Sequence, residues 1–229
     1  MKYMAVKENK SCYASAVQRE ILLTLSENKT IQNYFFLTGG TALSVFYLHH
    51  RKSDDLDLFT IDDLNMNEID FWVQRKFSNV SKINDNDFIK SYLIDGVKVD
   101  LVIDHLSIKD EKVTVILEKN VDTRLDSIRN IASNKLCTIV SRSEIKDYID
   151  IYFLNEKGYI ENLKGLYSDA MNKDRIFEDA PTAAYKIEEG FEFVKNNYDI
   201  LPSIIGNFDK IRFESFFKTL IKSIYNRLN

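Results

Sequence analysis

Apolar positions recur at helical spacing over residues 11–26, where Val17, Ile21, Leu22 and Leu25 form one stripe and Ser11 is placed to cap it. Residues 28–32 are polar and break that pattern. A short apolar-aromatic run over 34–37 ends at Thr38-Gly39-Gly40, which predicts a buried strand entering a tight turn. Residues 41–49 again read as a helix, with Leu43, Phe46 and Tyr47 on one side. Over 55–59 acidic and apolar residues alternate, the period of a strand with two distinct faces. An amphipathic helix over 71–77 is followed by strands at 79–83, 88–94 and 97–103, the last pair separated by Asp95-Gly96, a strong hairpin signal. Residues 112–117 predict one more short strand. From about Ser127 the pattern turns helical, over 129–140, 143–155, 182–196 and 208–228.

The first half therefore mixes strands with helices, and the second is nearly all helix. This predicts an α+β protein with a core over residues 1–120 and a mainly helical region over 121–229. No repeat, low-complexity stretch or linker separates the two, so they are expected to pack together and share an active-site cleft. The chain's 229 residues suffice for one large domain or two small ones. Two prolines and seven glycines make long flexible linkers unexpected. No apolar run reaches the length of a membrane span, the N-terminal residues lack an apolar leader, and Cys12 and Cys137 are too few and too distant for a disulfide framework or a zinc site. A reduced cytoplasm is the expected location. The net charge of -4 argues against a general nucleic-acid coat, but leaves room for a local basic patch on an enzyme that touches RNA.

The chemistry is concentrated in Thr38-Gly39-Gly40-Thr41-Ala42-Leu43 and in Arg51-Lys52-Ser53-Asp54-Asp55-Leu56-Asp57-Leu58-Phe59. Carboxylates at i and i+2 on a strand point to one face, leaving Leu56 and Leu58 on the other. Two anions held that close call for a cation, and Mg²⁺ suits them because its remaining ligands come from triphosphate and water. A Gly-Gly strand-to-helix turn lets a phosphate approach backbone N–H groups. Asp-x-Asp alone is most often a solvated face and Gly-Gly alone a turn; their order and separation make the combination informative. Asp100, within Val97-Lys98-Val99-Asp100-Leu101, is the candidate third carboxylate. The bland alternative for it is an edge-strand residue facing water beside Lys98. Adjacent His49 and His50 are expected at a helix end or on the surface. The C-terminal aromatics Phe191, Phe193, Phe208, Phe213, Phe216 and Phe217 read as core, and Lys210, Arg212, Lys218, Lys222 and Arg227 as an RNA-facing patch or ordinary solvation of the last helix.

These motifs resemble the AbiEii family of nucleotidyltransferase-like toxins, the toxin half of type IV toxin–antitoxin and abortive-infection systems. The family's Gly-Gly-Thr-Ala-Leu and Arg-x-Ser-x-Asp-x-Asp are matched by Gly39 to Leu43 and by Arg51, Ser53, Asp55 and Asp57. A second signature falls on Lys135, Arg142, Lys146-Asp147 and Asp150. The resemblance, carried by residues 30–155, implies a polymerase β-like nucleotidyltransferase core of a small mixed sheet flanked by helices. It further implies Mg²⁺ (or Mn²⁺), a nucleoside triphosphate donor, an RNA acceptor such as the 3′ end of tRNA and a cognate antitoxin; the lack of a long apolar run leaves no membrane among the expected partners. On this reading Asp55, Asp57 and Asp100 hold metal and, with Lys135, are catalytic. Gly39, Gly40, Thr41, Arg51, Ser53, Lys135, Arg142, Asp147 and Asp150 bind the nucleotide. The bland alternative for residues 146–150 is a solvated stripe with local ion pairs. The rival functions are transfer to a small hydroxyl compound such as an aminoglycoside, and a catalytically inactive nucleotide-binding module.

Overall fold

The computed structural model describes residues 6–226. These divide into two compact units, one reaching to Ser127 and the other beginning at Ile128. The first opens with α1 (Ala16–Ser26) and α2 (Lys29–Tyr34), followed by β1 (Phe36–Thr38). It continues through α3 (Gly39–Ala42) into a π-helical stretch, Leu43–Leu48. Then come β2 (Leu56–Thr60), α4 (Met66–Lys76), β3 (Val80–Asp85), β4 (Ile89–Ile94), β5 (Val97–Ile103), β6 (Val113–Glu118) and β7 (Val121–Leu125). Among the described residues the strands form one seven-stranded mixed sheet in the order β3-β4-β5-β2-β1-β7-β6.

The sheet's centre is where sequence periodicity and pairing agree. In β2 and β5 the apolar positions Leu56, Leu58, Val99 and Leu101 are fully buried, while Asp57, Phe59, Lys98, Asp100 and Val102 occupy the half-buried alternate positions. β2 runs parallel to β5 and antiparallel to β1. The β4–β5 hairpin closes at Asp95-Gly96, with φ of 47° and 82°, the paired left-handed conformation that the Asp-Gly signal implies.

Three features depart from the sequence reading. The cap of α1 is Ser15, whose side chain accepts from the Gln18 N–H, while Ser11 lies in a short 3₁₀ turn, Lys10–Cys12. The polar residues after Asn28 form α2, because the Asn28 side chain accepts from the N–H groups of Thr30 and Ile31, and Ile31 alone in that helix is buried. Residues 121–125 form β7, which joins the sheet beside β1 through Leu37 and Leu125 and so brings the first unit past residue 120.

The second unit comprises α5 (Ile128–Ser141), α6 (Ile145–Glu156), α7 (Leu163–Met171), α8 (Ala180–Lys195) and α9 (Lys210–Tyr225). Its core is aromatic. Phe191 stacks on Phe217 with centroids 5.4 Å apart, Phe213 lies 4.9 Å from Phe217, and Tyr148 and Tyr152 pack against the same cluster. Phe193, at 45% exposed, lies outside it. Arg227 lies outside the described residues. Arg212 and Lys218 are each engaged by acidic neighbours, Glu156, Asp209 and Glu214, which fits solvation of α9.

Candidate active site

β1 delivers the chain to Gly39, which turns with φ of 65° into α3. The left-handed conformation favours glycine, and so does the space available. A Cβ at residue 39 would stand 2.2 Å from Asp57 Oδ2. At Gly40 it would stand 2.6 Å from Arg51 Nη2 and 2.9 Å from Ser53 Oγ. The two glycines thus allow the turn to sit directly against Asp57, Arg51 and Ser53. A substitution tests this close approach. Gly96→Ala meets nothing within 4 Å and pays only for the left-handed backbone, about 1–2 kcal/mol. Gly39→Ala is expected to cost more than Gly96→Ala, because Asp57 must also move. Urea midpoints of the two variants at unchanged slope check the ordering.

Asp57 is the centre of a polar row across the sheet. Its register partner on β1 is Thr38 and on β5 is Asp100, whose own partner on β4 is Ser91. Asp55 precedes β2 by one residue. β5 lies between β2 and β4 and is an interior strand, so the edge-strand reading of Asp100 does not hold. Lys98 Nζ lies 2.6 Å from Asp100 Oδ2, while Asp100 Oδ1 is buried and makes no hydrogen bond. Burial pulls the Lys98 pKa down, but the hydrogen bond and charge of Asp100, with the fields of Asp57 and Asp55, hold it above the ordinary lysine value. The three carboxylates therefore act on one cationic group.

This donor set suits a hard divalent cation: it is all oxygen, carries an excess of negative charge, and includes one orphaned buried oxygen. Among the described residues no three acidic, histidine or cysteine side chains are drawn together as a ready-made cage. Lys98 takes up Asp100 Oδ2 instead.

The loop carrying Arg51 and Ser53 is strapped down from the N-terminal side. Ser53 pairs with Tyr13 in a parallel bridge, its N–H donating to the Cys12 carbonyl at 3.0 Å and its carbonyl accepting from Ala14 N–H at 3.1 Å. Thr41 was expected to bind nucleotide, yet it is fully buried with its hydroxyl donating to the Asp55 carbonyl, so its side chain braces the turn. The same carbonyl accepts from Gln18 on α1, a residue the motif reading passed over. Its one visible signal is an amide among the apolar positions of α1, four and seven residues before Leu22 and Leu25. A second bracing group is Asp126, fully buried, which accepts from Thr38 Oγ1 at 2.6 Å and pairs with Lys112 at 2.7 Å. His49 ends the π-helical stretch in a left-handed conformation, a helix-end role, whereas His50 is buried.

The second signature forms a separate cluster inside the helical unit. Lys135 on α5 places Nζ 2.6 Å from Asp147 Oδ1 and 2.7 Å from Asp150 Oδ2, both on α6. Both carboxylates have no solvent exposure and the Lys135 side chain is 8% exposed. Arg142 lies beyond the end of α5, 47% exposed, and meets Asp147 Oδ2 at 3.0 Å. Lys146 pairs with Glu144 at 3.4 Å. The solvated-stripe reading thus fails for Asp147 and Asp150. So does direct nucleotide contact by their carboxylates, because both are enclosed and used to hold cationic side chains. The predicted residues accordingly gather in two sets: Gly39, Gly40, Thr41, Arg51, Ser53, Asp55, Asp57 and Asp100 in the first unit, and Lys135, Arg142, Asp147 and Asp150 in the second.

The family model described as nucleotidyl transferase AbiEii toxin, type IV toxin–antitoxin system, matches residues 21–215. The chain belongs to the AbiEii family. That match contains every residue of the two signatures, from Gly39 to Asp150, while Gln18 precedes it. An uncharacterised protein of Aquifex aeolicus is 30% identical to this AbiEii chain over 132 residues, 56% of the chain. The match spans 60% of the length of that curated relative. Among solved structures, a putative nucleotidyltransferase from Helicobacter pylori superposes with a TM-score of 0.56 at 17% identity, covering 96% of this chain and 97% of that one. JHP933 from H. pylori gives 0.55 at 17% identity, covering 97% and 95%. At these identities the likeness establishes the shared α+β nucleotidyltransferase fold.

Proposed function

We propose that this AbiEii protein transfers a nucleoside monophosphate from a nucleoside triphosphate to an acceptor hydroxyl, in the cytoplasm, with RNA and specifically a tRNA 3′ end as the acceptor. The observation that carries the reading is the seating of the Gly39-Gly40 turn against Asp57, itself in register with Asp100. A turn built for close backbone approach beside paired carboxylates is what a metal-bound triphosphate requires. Asp55, Asp57 and Asp100 are the residues to hold Mg²⁺, with Mn²⁺ as a substitute. Bound there, the metal supplies charge neutralisation of the phosphates and a more acidic acceptor hydroxyl.

The protein's own groups divide the remaining work. Gly39 and Gly40 present backbone to the triphosphate, with Arg51 and Ser53 beside them. Lys135 and Arg142 are the candidate nucleotide-binding cations of the helical unit, with Asp147 and Asp150 holding Lys135 in place. The acceptor oxygen bonds to the α-phosphorus as the bond from that phosphorus to the bridging oxygen breaks, releasing pyrophosphate. Asp100, with its Oδ1 left without a hydrogen-bond partner, completes the oxygen set for the metal and so favours loss of the hydroxyl proton. A toxin of this type is paired with a cognate antitoxin encoded beside it, and phage defence is the setting in which the pair acts. Among the described residues no helix is long and apolar enough to cross a membrane.

Incubation with α-labelled triphosphates, total cellular RNA and Mg²⁺ tests the reaction and its acceptor together. The expected product is label in RNA of tRNA size, absent without Mg²⁺. Label entering an added aminoglycoside and no RNA would overturn the acceptor. Label entering nothing would overturn the reaction.

A further inference from the structure

Gln18 is fully buried on α1, and every polar group of its side chain is engaged. Its Oε1 accepts from Ala14 N–H at 2.9 Å. Its Nε2 donates to Thr41 Oγ1 at 3.2 Å and to the Asp55 carbonyl at 3.1 Å. Thr41 Oγ1 donates to the same carbonyl. The Asp55 carbonyl therefore takes two donors, one from α1 and one from α3, the helix that Gly39-Gly40 opens. Packing alone would place an apolar residue here, since Gln18 shares the buried face with Leu22 and Leu25. What an amide adds is two donors and an acceptor on one planar group, a set that neither a hydrocarbon nor a carboxylate supplies.

We propose that Gln18 is a positioning residue for metal and nucleotide binding, tying the Asp55 backbone to the Gly39-Gly40 turn so that the Asp55 carboxylate and the turn keep a fixed relation. The inference rests on the function proposed above. Gln18 itself touches neither substrate nor metal; it acts through Asp55 and Thr41. Asp55 precedes β2, outside the strand's own pairing, so these two bonds hold a backbone position that the sheet ladder does not.

The test uses the full chain and follows binding of Mn²⁺ with a non-hydrolysable triphosphate by calorimetry, alongside the denaturation midpoint. Gln18→Met keeps volume and removes all three bonds. Gln18→Asn keeps the amide but is one methylene too short, and serves if the methionine variant fails to fold. The folded variants are expected to bind Mn²⁺–nucleotide about 10–100-fold more weakly, the usual effect of losing a group that orients a ligand. In turnover the loss is expected in KM for the metal–nucleotide more than in kcat. The double variant with Thr41→Val is expected to lose less than the two single losses combined, because both act on one carbonyl. Wild-type binding matched by the folded variants would overturn the role of Gln18. Absence of Mn²⁺–nucleotide binding in the wild type itself would instead overturn the proposed function, and the role of Gln18 with it.

Discussion

Asp57→Asn is expected to lower kcat/KM for nucleotide transfer by roughly a thousandfold or more, since a metal-holding carboxylate contributes several kcal/mol and each 1.4 kcal/mol is tenfold. Asp57 lies against the Gly39 turn and in register with Asp100, so its carboxylate stands between the turn and the second carboxylate strand. Asparagine preserves the size and one oxygen acceptor while removing the charge, which isolates electrostatics from packing. It also lessens repulsion among Asp55, Asp57 and Asp100. Single-turnover transfer rates, measured with circular dichroism on the same samples, separate a chemical loss from a folding loss. A folded Asp57→Asn protein with wild-type transfer would remove the carboxylate row from the reaction.

Lys135→Met is expected to destabilise the helical unit by about 3–5 kcal/mol, the cost of breaking a buried ion pair by deleting one partner. The ammonium lies 2.6 Å from Asp147 and 2.7 Å from Asp150, and neither carboxylate reaches solvent. Without it, two enclosed anions lose the ammonium they share. Adding Asp147→Asn and Asp150→Asn to Lys135→Met is expected to restore most of the lost stability, because the cost lies in uncompensated charge and not in lost volume. Urea midpoints of the single and triple variants check this. A single variant as stable as the wild type would show that the cluster is not the ion-pair core described here.

The parts of the fold that could be read along the chain are those governed by local rules. The i, i+2 carboxylates of β2, the Asp95-Gly96 turn and the amphipathic helices after residue 127 each follow from spacing within a few residues. α2 was hidden because its stability comes from the Asn28 cap and one buried isoleucine. β7 was hidden because Val121-Asp122-Thr123-Arg124-Leu125 looks like a polar surface run. Asp122 and Arg124 are in fact engaged by Gln32 and the Asn33 carbonyl, and Leu125 fills the position beside Leu37.

The candidate site divides along the same line. Motif order pointed to Gly39-Gly40, Asp55, Asp57 and Lys135, but burial turns on partners far along the chain. Asp147 and Asp150 read in sequence as nucleotide-binding or, alternatively, solvated residues, whereas the structure encloses both against Lys135 from α5. The roles of Gln18 and Asp126 depend on contacts 37 and 88 residues away, which no local pattern carries.

The central claim is that the row of Asp57 and Asp100, beside the Gly39-Gly40 turn, binds a metal-bound triphosphate. Titration of Mn²⁺ into the protein with a non-hydrolysable triphosphate, for the wild type, Asp57→Asn and Asp100→Asn, tests it most directly. The account predicts saturable binding by the wild type and its loss in both folded variants. Equal binding by all three proteins would contradict it.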